Sequence, residues 1–134
     1  MKQLKSIVLL SLAVTTTFAS AKPVSLIDIK PVVVASSPMA GTSTVSPSTK
    51  EITIQFSKEM MTNKMWSVVK VEHGNFPDIT HDVYFKDDRT FVIPVKLKAN
   101  TVYAFSINSK NKGGFRDVNG KKAQPYLVSF KTGV

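Results

Sequence analysis

The chain has 134 residues, 18 Lys and Arg against 9 Asp and Glu, and no cysteine. That length holds one domain and is short for two, and the missing thiol excludes a disulfide framework, a cysteine nucleophile, cysteine metal sites and a lipid-modified cysteine. A formal charge of +9 turns attention to anionic partners, although a basic surface also serves simply to keep a domain in solution.

Lys2 and Lys5 form a basic start, Ser6 to Phe18 is an apolar run diluted by Ser and Thr, and Ala19-Ser20-Ala21 supplies small residues. This order reads as a secretory signal over residues 1–21, cleaved before Lys22. The run falls short of the ~20 apolar residues a membrane span needs, and no later segment is apolar enough to cross a bilayer once the signal is removed. The remaining chain keeps 16 basic residues against 9 acidic, a formal charge of +7. The expected location is outside the cytoplasm, periplasmic or extracellular. An exported basic protein meets anionic glycans, lipid headgroups or wall polymers, so no nucleic acid is expected.

Residues 22–30 show some alternation (Val24, Leu26, Ile29) and read as a leader or an extra edge strand. Pro31 to Ala35 is β-branched and reads as a first strand. The stretch 36–50 is rich in Ser, Thr, Pro and Gly, a loop. In 51–57, Ile52, Ile54 and Phe56 alternate with Glu51, Thr53 and Gln55, a period of two that gives a second strand with one buried face. Ser57 to Lys64 is the one place where a helical turn is expected, capped by Ser57. A third strand follows over 65–72 with the only tryptophan, Trp66, facing the core. Residues 76–80 read as irregular, held by Pro77, and 81–85 as a fourth strand.

The stretch 86–107 has the clearest pattern: a polar turn at Asp87-Asp88-Arg89, then Phe91, Ile93, Val95 and Leu97 on one face, a polar break, and Tyr103, Phe105 and Ile107 on one face. Pro94 has no N–H to give to a ladder, so it belongs at an edge or bulge, on the outward side. Residues 111–124 form a long polar loop. A last strand, 126–132, points Tyr126, Val128 and Phe130 inward. Seven short strands with almost no helix predict an all-β antiparallel sandwich whose core includes Phe56, Ile93, Tyr103, Phe105 and Phe130.

In this order the residues resemble a family. A loop runs from Pro38 to Val45-Ser46-Pro47, followed by Ile52-x-Ile54-x-Phe56-Ser57-x-x-Met60. Asp88-Arg89-Thr90 leads a strand, Leu97-x-x-x-Thr101-x-Tyr103 follows, then Asp117-x-Asn119-Gly120, and Phe130-Lys131-Thr132-Gly133 closes. From Pro31 to the end, residues 31–134, the chain is similar to bacterial Ig-like domains of surface-layer and secreted multidomain proteins. The resemblance implies an Ig-like sandwich of about seven strands without a disulfide, no catalytic activity, and a spacer, adhesion or accessory role. Tyr103 resembles the tyrosine corner of Greek-key sandwiches, its hydroxyl bonding back to the preceding turn. Asp117-Val118-Asn119-Gly120 reads as a turn in which Gly120 takes positive φ and the Asp and Asn side chains bond local backbone.

Catalytic and metal chemistry finds little support. His73 and His81 are the only histidines and lie in an irregular segment, without the converging ligands zinc requires. Asp117 and Asn119 begin like a calcium loop, but no Glu follows Glu72. No serine lies in a Gly-x-Ser-x-Gly elbow. No cofactor is expected. Phe115-Arg116 either recognises a ligand or covers one end of the sandwich. The expected function is an exported, non-catalytic module that binds or supports an envelope or extracellular partner; a small secreted enzyme or an accessory subunit of a secreted hydrolase is the alternative. The expected contact surface joins the outward face of the strand at Val92, Pro94 and Lys96 to Lys98 and to the loop residues Lys110, Lys112, Arg116, Lys121 and Lys122. It is one basic surface with an apolar centre, suited to an anionic polymer or an acidic protein patch.

Overall fold

The computed structural model describes residues 10–17 and 22–134. Positions 1–9 and 18–21 lie outside the described residues, and with them the basic start and the cleavage motif of the export signal. Residues 10–17 are exposed and carry no regular structure. No helix among the described residues is long and apolar enough to cross a membrane.

Eight strands form, β1 (Val33–Ser37), β2 (Glu51–Phe56), β3 (Val68–Lys70), β4 (Asp78–Ile79), β5 (Tyr84–Phe85), β6 (Thr90–Lys96), β7 (Val102–Ile107) and β8 (Tyr126–Lys131). The two-residue β4 lies in the stretch expected to be irregular. One sheet has the order β1-β2-β6, with β4 and β5 both on the far side of β6; the other is β3-β7-β8, and every strand pair is antiparallel. The alternation seen in the sequence becomes the two inner faces. Ile52, Ile54, Phe56, Phe91, Ile93 and Val95 from the first sheet meet Tyr103, Phe105, Ile107, Val128 and Phe130 from the second in one core. This is an all-β Ig-like sandwich without a disulfide.

Two expectations are corrected. The helical turn over 57–64 does not form, because its N–H groups are given to other segments: Ser57 to the Val32 carbonyl, Met60 to that of Asp88 and Met61 to that of Arg116. Residues 22–30, expected as a leader or an extra edge strand, pair with no strand and make a single 3-10 turn, Leu26–Asp28, capped by the Ser25 hydroxyl. Val92 is not an exposed outward residue. It is 1% exposed, flanked in register by Thr53 of β2 and Tyr84 of β5 on the same face of the sheet, and cross-strand neighbours at that spacing cover one another. Pro94 keeps to its rule differently from expectation. It sits in a central strand, but its carbonyl accepts from Thr80 N–H, so its nitrogen faces the break between β4 and β5, where no ladder bond is lost.

The long β7–β8 loop is tied to the sandwich by two residues. Asn108 has φ of 57°, a left-handed conformation that Asn tolerates better than most residues. Its buried side chain accepts from Phe115 N–H and donates to the Phe115 and Ala123 carbonyls. Phe115 itself is fully buried, its ring 4.8 Å from Phe91 and 5.2 Å from Phe56, so it closes the end of the core and is not free to meet a ligand.

Candidate functional site: the basic loop end

The residues expected to bind a partner divide between the two ends of β7. Lys96 ends β6 opposite Asp78 of β4, and Lys98 follows in the turn into β7, where its N–H donates to the Tyr103 hydroxyl at 2.8 Å. Lys110, Lys112, Arg116, Lys121 and Lys122 lie past the far end of that strand. Six residues of strand place the two sets about 17–20 Å apart or more, and Val92, being buried, supplies no apolar centre. The structure therefore presents two separate basic regions.

Within the loop end, two of the five cations are engaged internally. Arg116 is half-buried and its Nη1 donates to the Gly120 carbonyl at 3.3 Å. Lys121 Nζ donates to the Asp28 carbonyl at 3.1 Å. Gly120 takes a φ of +81°, closing the turn that sets both residues in place. Lys110, Lys112 and Lys122 remain exposed. Lys110 and Lys122 share an open cleft of about 290 Å³ with Lys30, Ser109, Gln124 and Pro125. Sequence spacing gives no sign of Lys30, which is 80 residues before Lys110; only the fold joins them.

Lys30 is held there by a buried ion pair. Asp117 is fully buried and its Oδ2 lies 2.6 Å from Lys58 Nζ. The same ammonium donates to the carbonyls of Leu26 and Ile29 at 2.8 Å each, so its three N–H donors are all used. Asp117 Oδ1 accepts from the N–H groups of Asn119 and Lys121. Burial opposes the Asp117 charge, but the Lys58 hydrogen bond, the N–H groups of Lys121 and Asn119 and the charge of Lys58 outweigh it and hold the carboxyl below its ordinary value. The turn that resembled the start of a calcium loop is thus satisfied by a lysine. The residue with the least prominent sequence signal, Lys58, connects the N-terminal arm, the β2–β3 loop and the β7–β8 loop.

Trp66 is half-buried against Phe91, with ring centroids 5.5 Å apart, a core position and not a surface platform. His73 and His81 are exposed. No group of three or more His, Asp or Glu side chains that could hold a metal ion occurs among the described residues.

Two packed antiparallel sheets, a Tyr103 hydroxyl bonded back to the turn before its strand, and an aromatic core without a disulfide define an Ig-like module. The chain belongs to the bacterial Ig-like domain family, whose profile matches residues 27–132. No curated protein matches it. Among solved structures it is similar to the N-terminal part of the bacterial S-layer protein SbsC, at 14% identity, 78% coverage of this chain and a TM-score of 0.47. It is likewise similar to domains 1–6 of surface layer protein SbsC, at 15% identity, 79% coverage and the same TM-score. The chain spans 24% and 14% of the length of those two chains.

Proposed function

We propose that the protein is an exported adhesive module of the cell envelope that docks on an anionic partner through the loop end of its sandwich. The observation that carries this reading is the group Lys30, Lys110, Lys112 and Lys122, exposed on one end with no carboxylate within ion-pair distance; the one ion pair among the described residues is Lys58–Asp117. Like charges gathered without counter-charges repel one another, and an anionic partner removes that cost. Export rests on the pattern of residues 1–21, with Lys22 as the mature N-terminus. The Ig-like frame supplies a rigid support without a catalytic centre, which suits holding rather than turnover.

The test is capture from an envelope extract by the tagged protein at low and high salt. Binding is expected to fall as salt shortens the screening length, and the double variant Lys110→Glu, Lys122→Glu is expected to capture less while melting at nearly the same temperature, since exposed charges contribute little to stability. Equal capture at both salt concentrations, or by that variant, overturns the reading.

A further inference from the structure

The cleft between the N-terminal arm and the β7–β8 loop has features that narrow the chemistry of its ligand. Its charged lining residues are all lysines: Lys30, Lys110 and Lys122, with Ser109, Gln124 and Pro125 completing the wall. By contrast, the hollow of about 390 Å³ on the outer face of the five-stranded sheet contains both Lys86 and Asp87 and so has no net charge. Arginine's planar fork matches carboxylate and phosphate alike with two parallel hydrogen bonds, whereas lysine binds phosphate oxygens as a compact point charge. The one arginine of this loop, Arg116, is turned back onto Gly120.

Lys122 is also positioned, not loose. Its stem lies along Gly113, where an added Cβ would come within 2.6 Å of Lys122 Cδ. A side chain at residue 113 would force the Lys122 stem to shift, and with it the ammonium. Lys30 is fixed from the other side, because the arm that bears it is bonded to Lys58 at Leu26 and Ile29 and to Lys121 at Asp28. Ser109 Oγ accepts from Lys112 N–H, which leaves its own proton free to donate. Three lysines and a serine hydroxyl from two segments thus line one cleft, and both segments are held by the same buried pair.

We propose that this cleft is a phosphodiester-binding site, and that its ligand is a phosphate-bearing envelope polymer. The proposal rests on the docking end described above and names its chemistry. Protein partners are met through flatter surfaces with aromatic or arginine anchors, and the lining has neither. Single-stranded nucleic acid is held by stacking on aromatic rings, also absent from the lining. A membrane surface is met by protruding apolar side chains beside the cations; the exposed Leu26 and Ile27 of the arm line a separate hollow with Lys58, Glu59 and Arg89 and not this cleft. Lys112, exposed on the same loop, adds to the positive charge of this end.

The experiment titrates the intact protein with poly(glycerol phosphate) and, separately, with polyglutamate of matched charge, with phosphatidylglycerol vesicles and with single-stranded DNA, following backbone amide shifts at low salt. Tighter binding of poly(glycerol phosphate) than of the other three probes, with shifts confined to residues around 30, 109–113 and 122–125, is expected. Lys30→Glu and Lys122→Glu are each expected to weaken it by tenfold or more, and Lys96→Glu by less than twofold. Gly113→Ala decides between a built site and diffuse charge, because it leaves net charge unchanged but displaces Lys122; a loss of threefold or more is expected. Equal losses from Lys96→Glu and Lys122→Glu, or no loss from Gly113→Ala, overturn the site. Stronger binding of polyglutamate, vesicles or DNA overturns the phosphate-polymer assignment. If envelope capture depends on Lys110 and Lys122 while poly(glycerol phosphate) does not bind, the ligand assignment fails and the docking end stands; if capture is also independent of Lys110 and Lys122, both fail.

Discussion

Tyr103 shows what a single residue contributes at a corner. Its ring is 3% exposed and packs 5.5 Å from Phe130, while its hydroxyl accepts from Lys98 N–H, so one side chain joins the core to the turn that crosses between sheets. Removing only the hydroxyl, as Tyr103→Phe, is expected to cost about 0.5–1.5 kcal/mol, a typical net hydrogen bond. Phe105, fully buried in the same strand, contributes by volume; Phe105→Ala is expected to cost about 3–5 kcal/mol. Urea melts of both variants check this, and a Phe105→Ala loss below about 1 kcal/mol contradicts the packing. Tyr103 was legible from its spacing after Leu97, and Gly120 from its place behind Asp and Asn, because local backbone geometry decides both. Lys58 was not legible. Its partner is 59 residues away, and an isolated lysine beside a Glu reads as surface until the fold brings Asp117 to it.

At the scale of elements, alternation located β2, β6, β7 and β8 to within a residue or two, since each turns its large apolar residues to the core at every second position. Where a strand is covered on both sides the pattern misleads, and Val92 is the instance: its outward face is covered by β5, a two-residue strand too short to leave a signal. The 57–64 segment misled in the other direction, as its Ser cap and paired methionines fit a helix until tertiary hydrogen bonds claimed the N–H groups. The β7–β8 loop is held by backbone proximity as well as by Asn108. Gly114 lies so close to the segment leading into β3 that a Cβ there would overlap the Trp66 carbonyl. Gly114→Ala is therefore expected to destabilise by about 1–3 kcal/mol, because the obstacle is backbone. Gly113→Ala meets only the flexible stem of Lys122 and is expected to change the melting temperature little. A thermal melt of the two variants side by side checks the contrast, and equal destabilisation contradicts it.

For the whole molecule, the buried pair Lys58–Asp117 is where three distant segments are joined, and it carries a pH signature. The folded state holds the Asp117 carboxyl below its ordinary value of 3.8, so the folded state favours the charged form more than the unfolded chain does. A depressed carboxylate contributes stability that is fully present above the unfolded value and is lost as pH falls through the folded value. The contribution is thus complete at neutral pH and disappears in strong acid, where protonation of Asp117 leaves the Lys58 ammonium without its counter-charge. Asp117→Asn is expected to cost about 2–4 kcal/mol at pH 7, since breaking a buried pair strands its partner; the partial exposure of Lys58, whose side chain is 17% accessible, places the cost below the upper values for fully buried pairs. The wild-type advantage over this variant is expected to shrink as pH is lowered below about 4 and to vanish once Asp117 is protonated. Urea melts of both proteins between pH 7 and pH 2 measure it, and a constant difference across that range contradicts the role of charge. Because the same pair holds Leu26 and Ile29, the variant is also expected to release the arm first, seen as faster amide exchange at residues 26–30 while the amides of β6 and β7 stay protected. Lys30 would then leave the cleft it shares with Lys110 and Lys122, so the stability of one buried pair and the shape of the basic end are expected to change together.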